Sequence, residues 1–374
     1  MKYIDRNHSV LTGKKNLEPL HTFHHFPVFI GSTDQKMEDD IFADLSLTIC
    51  PETGVIQLDR VLPLDLIYSG YHSEALGGVW AEHHTEFIAF IQKYKLTQIL
   101  EIGGSDGRLA KEYIRDNKTI RWSIVEPNPV IFAHDQITFV NHLFDSAFEL
   151  HQDIDGIIHS HTLEHMYEPR EFLQTVSKLL KPGQHHLFSV PNLYAYLQNK
   201  YTNILNFEHT IFLTEYLIDY LLSIYNLEII EKKYFHDHSI FYATKKSEKR
   251  IPFPFQSKYE EYKKIYLNYL NETNNMIMDL NTKITQWNGD VYLFGAHVFS
   301  QFLLNQGLRI DSVKGILDNS RIKQGKRLYG TPFKILSPEV LKMNNNAVIL
   351  KAGAYQDEIK KQLRDICPDV MIWE

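Results

Sequence analysis

The sequence predicts an α/β fold in three successive parts, and three observations predict it. Residues from about 73 to 246 alternate helical and strand patterns, a glycine-rich turn joins a buried strand to a helix at 99–114, and a charged, proline-containing break at 247–255 precedes a second, shorter series. Alternation of this kind predicts a largely parallel sheet with helices on both faces. At 374 residues the chain is too long for one compact module.

Residues 1–72 carry HHFPVFIGS, ADLSLTIC and TGVIQLDRV, brief strand patterns parted by Gly, Pro and Asp turns, and predict a small β-rich unit. In 73–246, AEHHTEFIAFIQKY has apolar residues at helical spacing. TQILEI reads as a buried strand, GRLAKEYIRD as a helix, RWSIVE and IDGIIHS as strands, PREFLQTVSKLLK as a helix and HHLFSVP as a strand. His83–His84 and His185–His186 fall in helical or strand-edge segments and read as solvated. In 247–374, the polar helix YEEYKKIYLNYLNETNNMIMDL reads as a strut between units. It is followed by DVYLFG, HVFSQFLLNQG, VKGILD, NAVILKAG and YQDEIKKQLRD, a second α/β series.

Composition excludes several classes. A formal net charge of −7 removes the broad positive field that nucleic acid or an anionic membrane would require. Two cysteines, Cys50 and Cys367, give no disulfide framework. The N-terminus lacks an apolar signal core, and charge interrupts every apolar window well short of the roughly 20 residues that span a bilayer. A soluble, cytoplasmic, multidomain protein is expected, with no nucleic-acid or membrane partner and an oligomeric state left open.

The segment ILEIGGSDGRLAKEYI, 99–114, carries the most information. Glu101 opens it, and Gly103, Gly104 and Gly107, with Asp106 between them, let the backbone turn tightly and approach a ligand. The spacing is not G-x-G-x-x-G, and no Gly-Lys-Ser/Thr follows to hold phosphates as a P-loop does. Glu126, followed by Pro127, stands at the end of the next strand, where a carboxylate can accept both hydroxyls of a ribose. The whole arrangement resembles the S-adenosylmethionine site of class I methyltransferases, with a Rossmann-like sheet.

Within that class, EIGGSDG is similar to the turn of the three-domain nucleotide-sugar C-methyltransferases, which methylate a carbon next to the ketone of a nucleotide-activated keto-deoxysugar. SGYHSE at 69–74, HTLEHMYEP at 161–169, FEHTIFLTEYLIDYLL at 207–222, LDNSRIKQGKRLYGTP at 317–332 and GAYQDEI at 353–359 resemble that family's segments in the same order. YFHDHSIFY at 234–242 resembles its His-Gly-Gly-Ser segment with both glycines replaced. The family's first domain holds zinc on four cysteines. Here Ser9, Thr12 and Thr53 occupy three of those positions and Cys50 the fourth, and one thiolate cannot hold a tetrahedral zinc. The first domain is therefore expected to be metal-free, no zinc and no metal site are expected anywhere in the chain, and the C-terminal unit is expected to be a second Rossmann-like domain.

The resemblance also implies roles. His209 would be the base that removes the carbon-bound proton, Glu208 the carboxylate that orients it, His165 the donor to the developing oxyanion, and Tyr71 a pocket-lining phenol. His161 would lie against the cofactor beside Glu101, Gly103, Gly104, Asp106, Gly107, Glu126 and Pro127. His236, Lys323 and Lys326 are the substrate-binding candidates; near a glycine turn, the basic group Lys323, Lys326 and Arg327 can hold a diphosphate or sit in a solvated loop. The family often has a tyrosine where this chain has Asn206, which bears on the substrate more than on the reaction. His161-Thr-Leu-Glu164-His165 formally reads H-x-x-E-H, a zinc-peptidase pattern that requires a helix, but it follows a strand and precedes Glu168–Pro169 and reads as a loop. Two readings stay beside C-methylation: an O- or N-methyltransferase on the same scaffold, and a non-catalytic nucleoside-binding relative.

Overall fold

The computed structural model describes residues 3–67, 78–115, 117–343, 345–352 and 355–374. Its centre is a seven-stranded sheet in the order Leu227–Phe235, Ser239–Lys246, His185–Pro191, Gly156–Ser160, Gln98–Ile102, Arg121–Val125, Ile137–Val140. Strand Ser239–Lys246 runs against both its neighbours, and the other pairings are parallel. The strand starting at Gln98 lies between those starting at Gly156 and Arg121, so the chain reverses its direction of winding there. A crevice at the carboxyl ends of strands, next to such a reversal, is where open α/β sheets bind ligands. This is the class I Rossmann-like methyltransferase fold, as expected.

A four-stranded antiparallel sheet is built from Glu18–Pro27, Phe42–Ile49, Ile56–Leu58 and, from far along the chain, Ile211–Phe212. The last pairing, Ile211 with Gln57 and Phe212 with Ile56, fastens the segment just after His209 to the N-terminal sheet. Thr210 tightens it: its carbonyl accepts Leu58 N at 2.9 Å, its amide donates to the Glu164 carbonyl at 3.1 Å, and its hydroxyl donates to the Met166 carbonyl at 2.8 Å. A five-stranded parallel sheet holds Ile335–Leu336, Val313–Leu317, Asp290–Phe294, Asn346–Ile349 and Met371–Trp373.

Helix Tyr259–Gln286 runs past the expected end of the polar stretch and spans about 42 Å. Tyr262, Tyr266, Tyr269, Thr273, Ile277, Leu280 and Ile284, spaced three or four apart, make one buried face along it.

Two histidine pairs depart from the solvated reading. His186 is fully buried because its strand is flanked on both sides, paired with Ile157 and Thr244, and covered on both faces. His83 is fully buried because it shares a helical face with Phe87, Phe90 and Ile91. Their neighbours His185 and His84 are partly exposed.

Candidate active site

Strand Gln98–Ile102 delivers the chain into the glycine turn, and helix Arg108–Ile114 leaves it. Gly107 sits at φ +67°, in the left-handed region, as the first helical turn begins. A Cβ on Gly104 would lie 2.8 Å from the Glu101 carboxyl carbon and 2.7 Å from Ile124, so the turn closes over Glu101 only with glycine there. Glu101 is buried and accepts the Trp122 indole N–H at 2.7 Å. Burial pushes its carboxyl up to about 8, against the pull of that hydrogen bond and with the nearby Asp106 and Glu126 adding to the rise. Asp106 accepts the Arg108 amide at 3.1 Å at the helix start. At the end of strand Arg121–Val125, Glu126 accepts the amides of Ser105 at 3.3 Å and Asn128 at 3.1 Å, and Pro127 follows it out of the strand. Two glycines that admit no Cβ or favour positive φ, with a strand-end carboxylate tied to the turn, fit the ribose and methionine ends of S-adenosylmethionine.

On the same edge of the sheet, the segment after strand Gly156–Ser160 forms a short 3-10 turn, Leu163–His165, between loops, not the helix a zinc-peptidase pattern needs. Glu164, a residue the sequence offered only within that pattern, is the centre of the site. It is buried, with Oε1 3.3 Å from His161 Nδ1 and 3.9 Å from His165 Nε2. Burial would raise its carboxyl, yet His161 foremost, with His165 and His209, outweighs burial and holds it down at about 2. His165 Nδ1 lies 3.9 Å from Glu208 Oε2, and the His165 and His209 rings meet edge-on at 5.1 Å. Burial pushes His209 down to about 4; His165 lowers it further, and Glu164 and Glu208 draw it back up. Its Nδ1 is buried with no hydrogen-bond partner.

Asn206 presents this pair. Its side-chain oxygen accepts the amides of Glu208 at 2.9 Å and His209 at 2.7 Å, closing a turn that no tyrosine side chain can close. The sequence marked Asn206 only as a departure from a pattern.

The remaining candidates are more dispersed. Tyr71 lies outside the described residues. His236 is exposed and 3.5 Å from Glu82. Lys326 pairs with Asp34 at 2.9 Å, and Arg327 makes a two-point pair with Asp40 at 2.5 and 2.8 Å, so two of the three basic groups near 323–327 are tied to the N-terminal region. Lys323 donates to the Ala296 carbonyl at 3.3 Å and lies 3.5 Å from Asp318. Next to it, His297 is a residue the sequence did not single out. Burial pushes it down to about 4, with Lys323 acting the same way and Asp318 and Glu208 opposing.

At the four positions where zinc cysteines would stand, Ser9, Cys50 and Thr53 are buried. The Ser9 and Thr53 hydroxyls accept the amides of Thr12 and Val55 at 3.4 and 3.2 Å, holding the two turns. Among the described residues, the groups of three metal-ligating side chains lie elsewhere: His83, His161 and His238, and Glu164, His165 and His209. No helix among the described residues is long and apolar enough to cross a membrane.

Residues 76–232 match a methyltransferase domain family, and residues 236–370 match the C-methyltransferase C-terminal domain family. No curated protein matches the chain. Among solved structures, the N-methyltransferase NodS from Bradyrhizobium japonicum WM9 is similar at 16% identity over 46% of this chain and 97% of that one, TM-score 0.35. An O-methyltransferase family protein from Burkholderia thailandensis is similar at 14% identity over 45% and 57%, TM-score 0.39. Human N-acetylserotonin methyltransferase, solved in complex with S-adenosylmethionine, is similar at 17% identity over 45% and 53%, TM-score 0.37. The glycine turn and the two family matches agree: the chain is an S-adenosylmethionine-dependent methyltransferase whose methyltransferase domain is followed by a C-methyltransferase C-terminal domain.

Proposed function

We propose that the chain methylates a carbon next to the ketone of a nucleotide-activated keto-deoxysugar, with His209 as the base. The observation that carries this reading is the meeting of Glu164, His165, Glu208 and His209 on the edge of the sheet that bears the glycine turn. Bound S-adenosylmethionine supplies an electrophilic methyl group on a sulfonium, and its departure needs no acid. A carbon next to a ketone must first lose a proton, so the protein has to provide a base and a donor for the enolate oxygen. Burial keeps His209 neutral at pH 7, so its imidazole can take up that proton. The carboxylates Glu164 and Glu208 then stabilise the imidazolium, and His165 donates to the oxyanion. Lys323, beside the Ala296–His297 loop, is the proposed diphosphate contact, whereas Lys326 and His236 are engaged with Asp34 and Glu82.

Glu126→Ala is expected to weaken S-adenosylmethionine binding by roughly 2–4 kcal/mol in calorimetry, the worth of two charge-assisted hydrogen bonds to a ribose. Unchanged affinity would remove Glu126 from the cofactor site. The reaction itself is tested by incubating the enzyme with a nucleotide-activated 4-keto-deoxysugar in deuterium oxide. Solvent deuterium should enter at the carbon next to the ketone, and with methyl donor added the new methyl should appear on carbon by NMR. A methyl on oxygen or nitrogen with no exchange would replace this reading with that of an O- or N-methyltransferase.

A further inference from the structure

A second histidine cluster stands beside the one just described and shares one contact with it, His161 to Glu164. His83 comes from helix Gly78–Gln92, His161 from the end of strand Gly156–Ser160, and His238 from the turn before strand Ser239–Lys246. One nitrogen from each ring lies within 4.8 Å of the others. His161 Nε2 and His238 Nδ1 converge on one hydroxyl, Ser239 Oγ, at 2.9 and 2.6 Å. His83 is fully buried, and neither of its ring nitrogens has a hydrogen-bond partner. Leaving two polar atoms dry and unpaired costs their full desolvation, and apart from neighbouring histidines the rings around His83 are Trp80, Phe87, Phe235 and Phe241, none of which offers it a hydrogen bond. Packing alone therefore gives no reason for an imidazole here.

We propose that His83, His161 and His238 bind a divalent first-row transition-metal ion. Three imidazoles, with no carboxylate in the trio, suit zinc, cobalt or nickel and disfavour magnesium and calcium, which seek oxygen. His161 has the second contact that ligating histidines have: its Nδ1 lies 3.3 Å from the buried Glu164 carboxylate, which leaves Nε2 as the nitrogen turned toward the trio. Residue 161 holds a φ of +50°, a left-handed backbone that histidine adopts at a cost, and that backbone aims its ring. Nitrogens bonded to one tetrahedral ion stand about 3.3 Å apart, so binding draws the three rings closer together. The lone fourth position would face the Ser239 hydroxyl. The expectation that the chain holds no zinc rested on the lost cysteines at positions 9, 12 and 53, and this proposal departs from it on the residues of this cluster.

The test is titration of the chelator-stripped full chain with Co²⁺, and separately with Zn²⁺, followed by equilibrium dialysis. We expect saturation at one ion per chain and the visible absorption bands of nitrogen-ligated Co²⁺. His83→Phe and His238→Gly should each weaken binding by roughly a hundredfold or more, as loss of one of three ligands does, while His209→Ala leaves it unchanged. Circular dichroism reports whether each variant is folded. If His83→Phe fails to fold, His238→Gly, at an accessible turn, gives the same reading. Absence of saturable binding, or binding that survives both variants, would overturn the proposal. Binding lost in His209→Ala would overturn it too, by placing the ion on Glu164, His165 and His209. No sugar or methyl donor enters the experiment, so its result is independent of the proposed reaction.

Discussion

Replacement of His209 by glutamine is expected to reduce methyl transfer by roughly two to four orders of magnitude, the usual contribution of a general base. Exchange of the substrate's carbon-bound proton with solvent should fall in step, because exchange and methylation share the proton-removal step. Calorimetry should show the methyl donor still bound, since His209 stands outside the 101–107 turn and Glu126. The pH profile separates a base from a residue that only packs. A neutral His209 loses its basicity when protonated, and its pKa in the folded chain is pushed down to about 4, so the acid limb of kcat/KM should lie well below the ordinary histidine value of about 6.5. Glu164→Gln removes the carboxylate that draws His209 up. Its acid limb should move lower still, and its rate should fall as the imidazolium loses a partner. A His209→Gln enzyme that methylates normally would end the assignment of the base.

What could be read from the chain, and what could not, divides along the range of the interactions. The central sheet follows from the local pattern: QILEI, RWSIV and GIIHS are short, mostly apolar runs alternating with helical segments, as in a sheet covered on both faces, and the glycine turn is a contiguous motif. Glu208 and His209 were legible through resemblance, and the structure brings them to His165. Glu164 was not, because a carboxylate between two histidines in H-T-L-E-H takes its meaning from His209, more than forty residues away, and from burial that no local pattern announces. Asn206 looked like a missing phenol and is the residue that shapes the turn. His186 sits at the edge of a hydrophobic run; whether such a residue is solvated depends on the strand that pairs beside it, and here strand Ser239–Lys246 closes that side. The pairing of Ile211–Phe212 with the N-terminal sheet is of the same kind, a two-residue strand specified by its partner rather than by its own sequence.

Folding stability should reach a maximum near pH 7 and fall steeply as the solution is acidified to pH 4. His186, His209 and His297 have folded-state pKa values pushed down by burial, to about 3 for His186 and about 4 for the other two. Unfolded, each takes up a proton near pH 6.5. Between the unfolded and folded values the unfolded chain binds more protons, so the stability these groups contribute is fully present above about 6.5 and is lost as pH falls toward 4. Each histidine is worth roughly 1 kcal/mol per pH unit in that window, and three of them over two units approach the 5–15 kcal/mol that holds a typical domain folded. Glu101 acts in the opposite sense. Its carboxyl is raised to about 8 in the folded chain, so its contribution is fully present below the ordinary carboxylate value and is lost as pH rises through 8. The lowered imidazoles, His83 and His238 among them, outnumber the one carboxyl raised to about 8, which leaves a net loss on the acid side and a shallower one on the alkaline side. Denaturant midpoints from pH 4 to 9 measure both arms. His186→Leu, which replaces a fully buried ring lacking partners for either nitrogen, should flatten the acid arm, and Glu101→Gln should flatten the alkaline one. A midpoint constant from pH 7 down to 5 would mean that these imidazoles are hydrated or paired in the folded protein, and the neutral, buried His209 on which the proposed base depends would have to be abandoned with them.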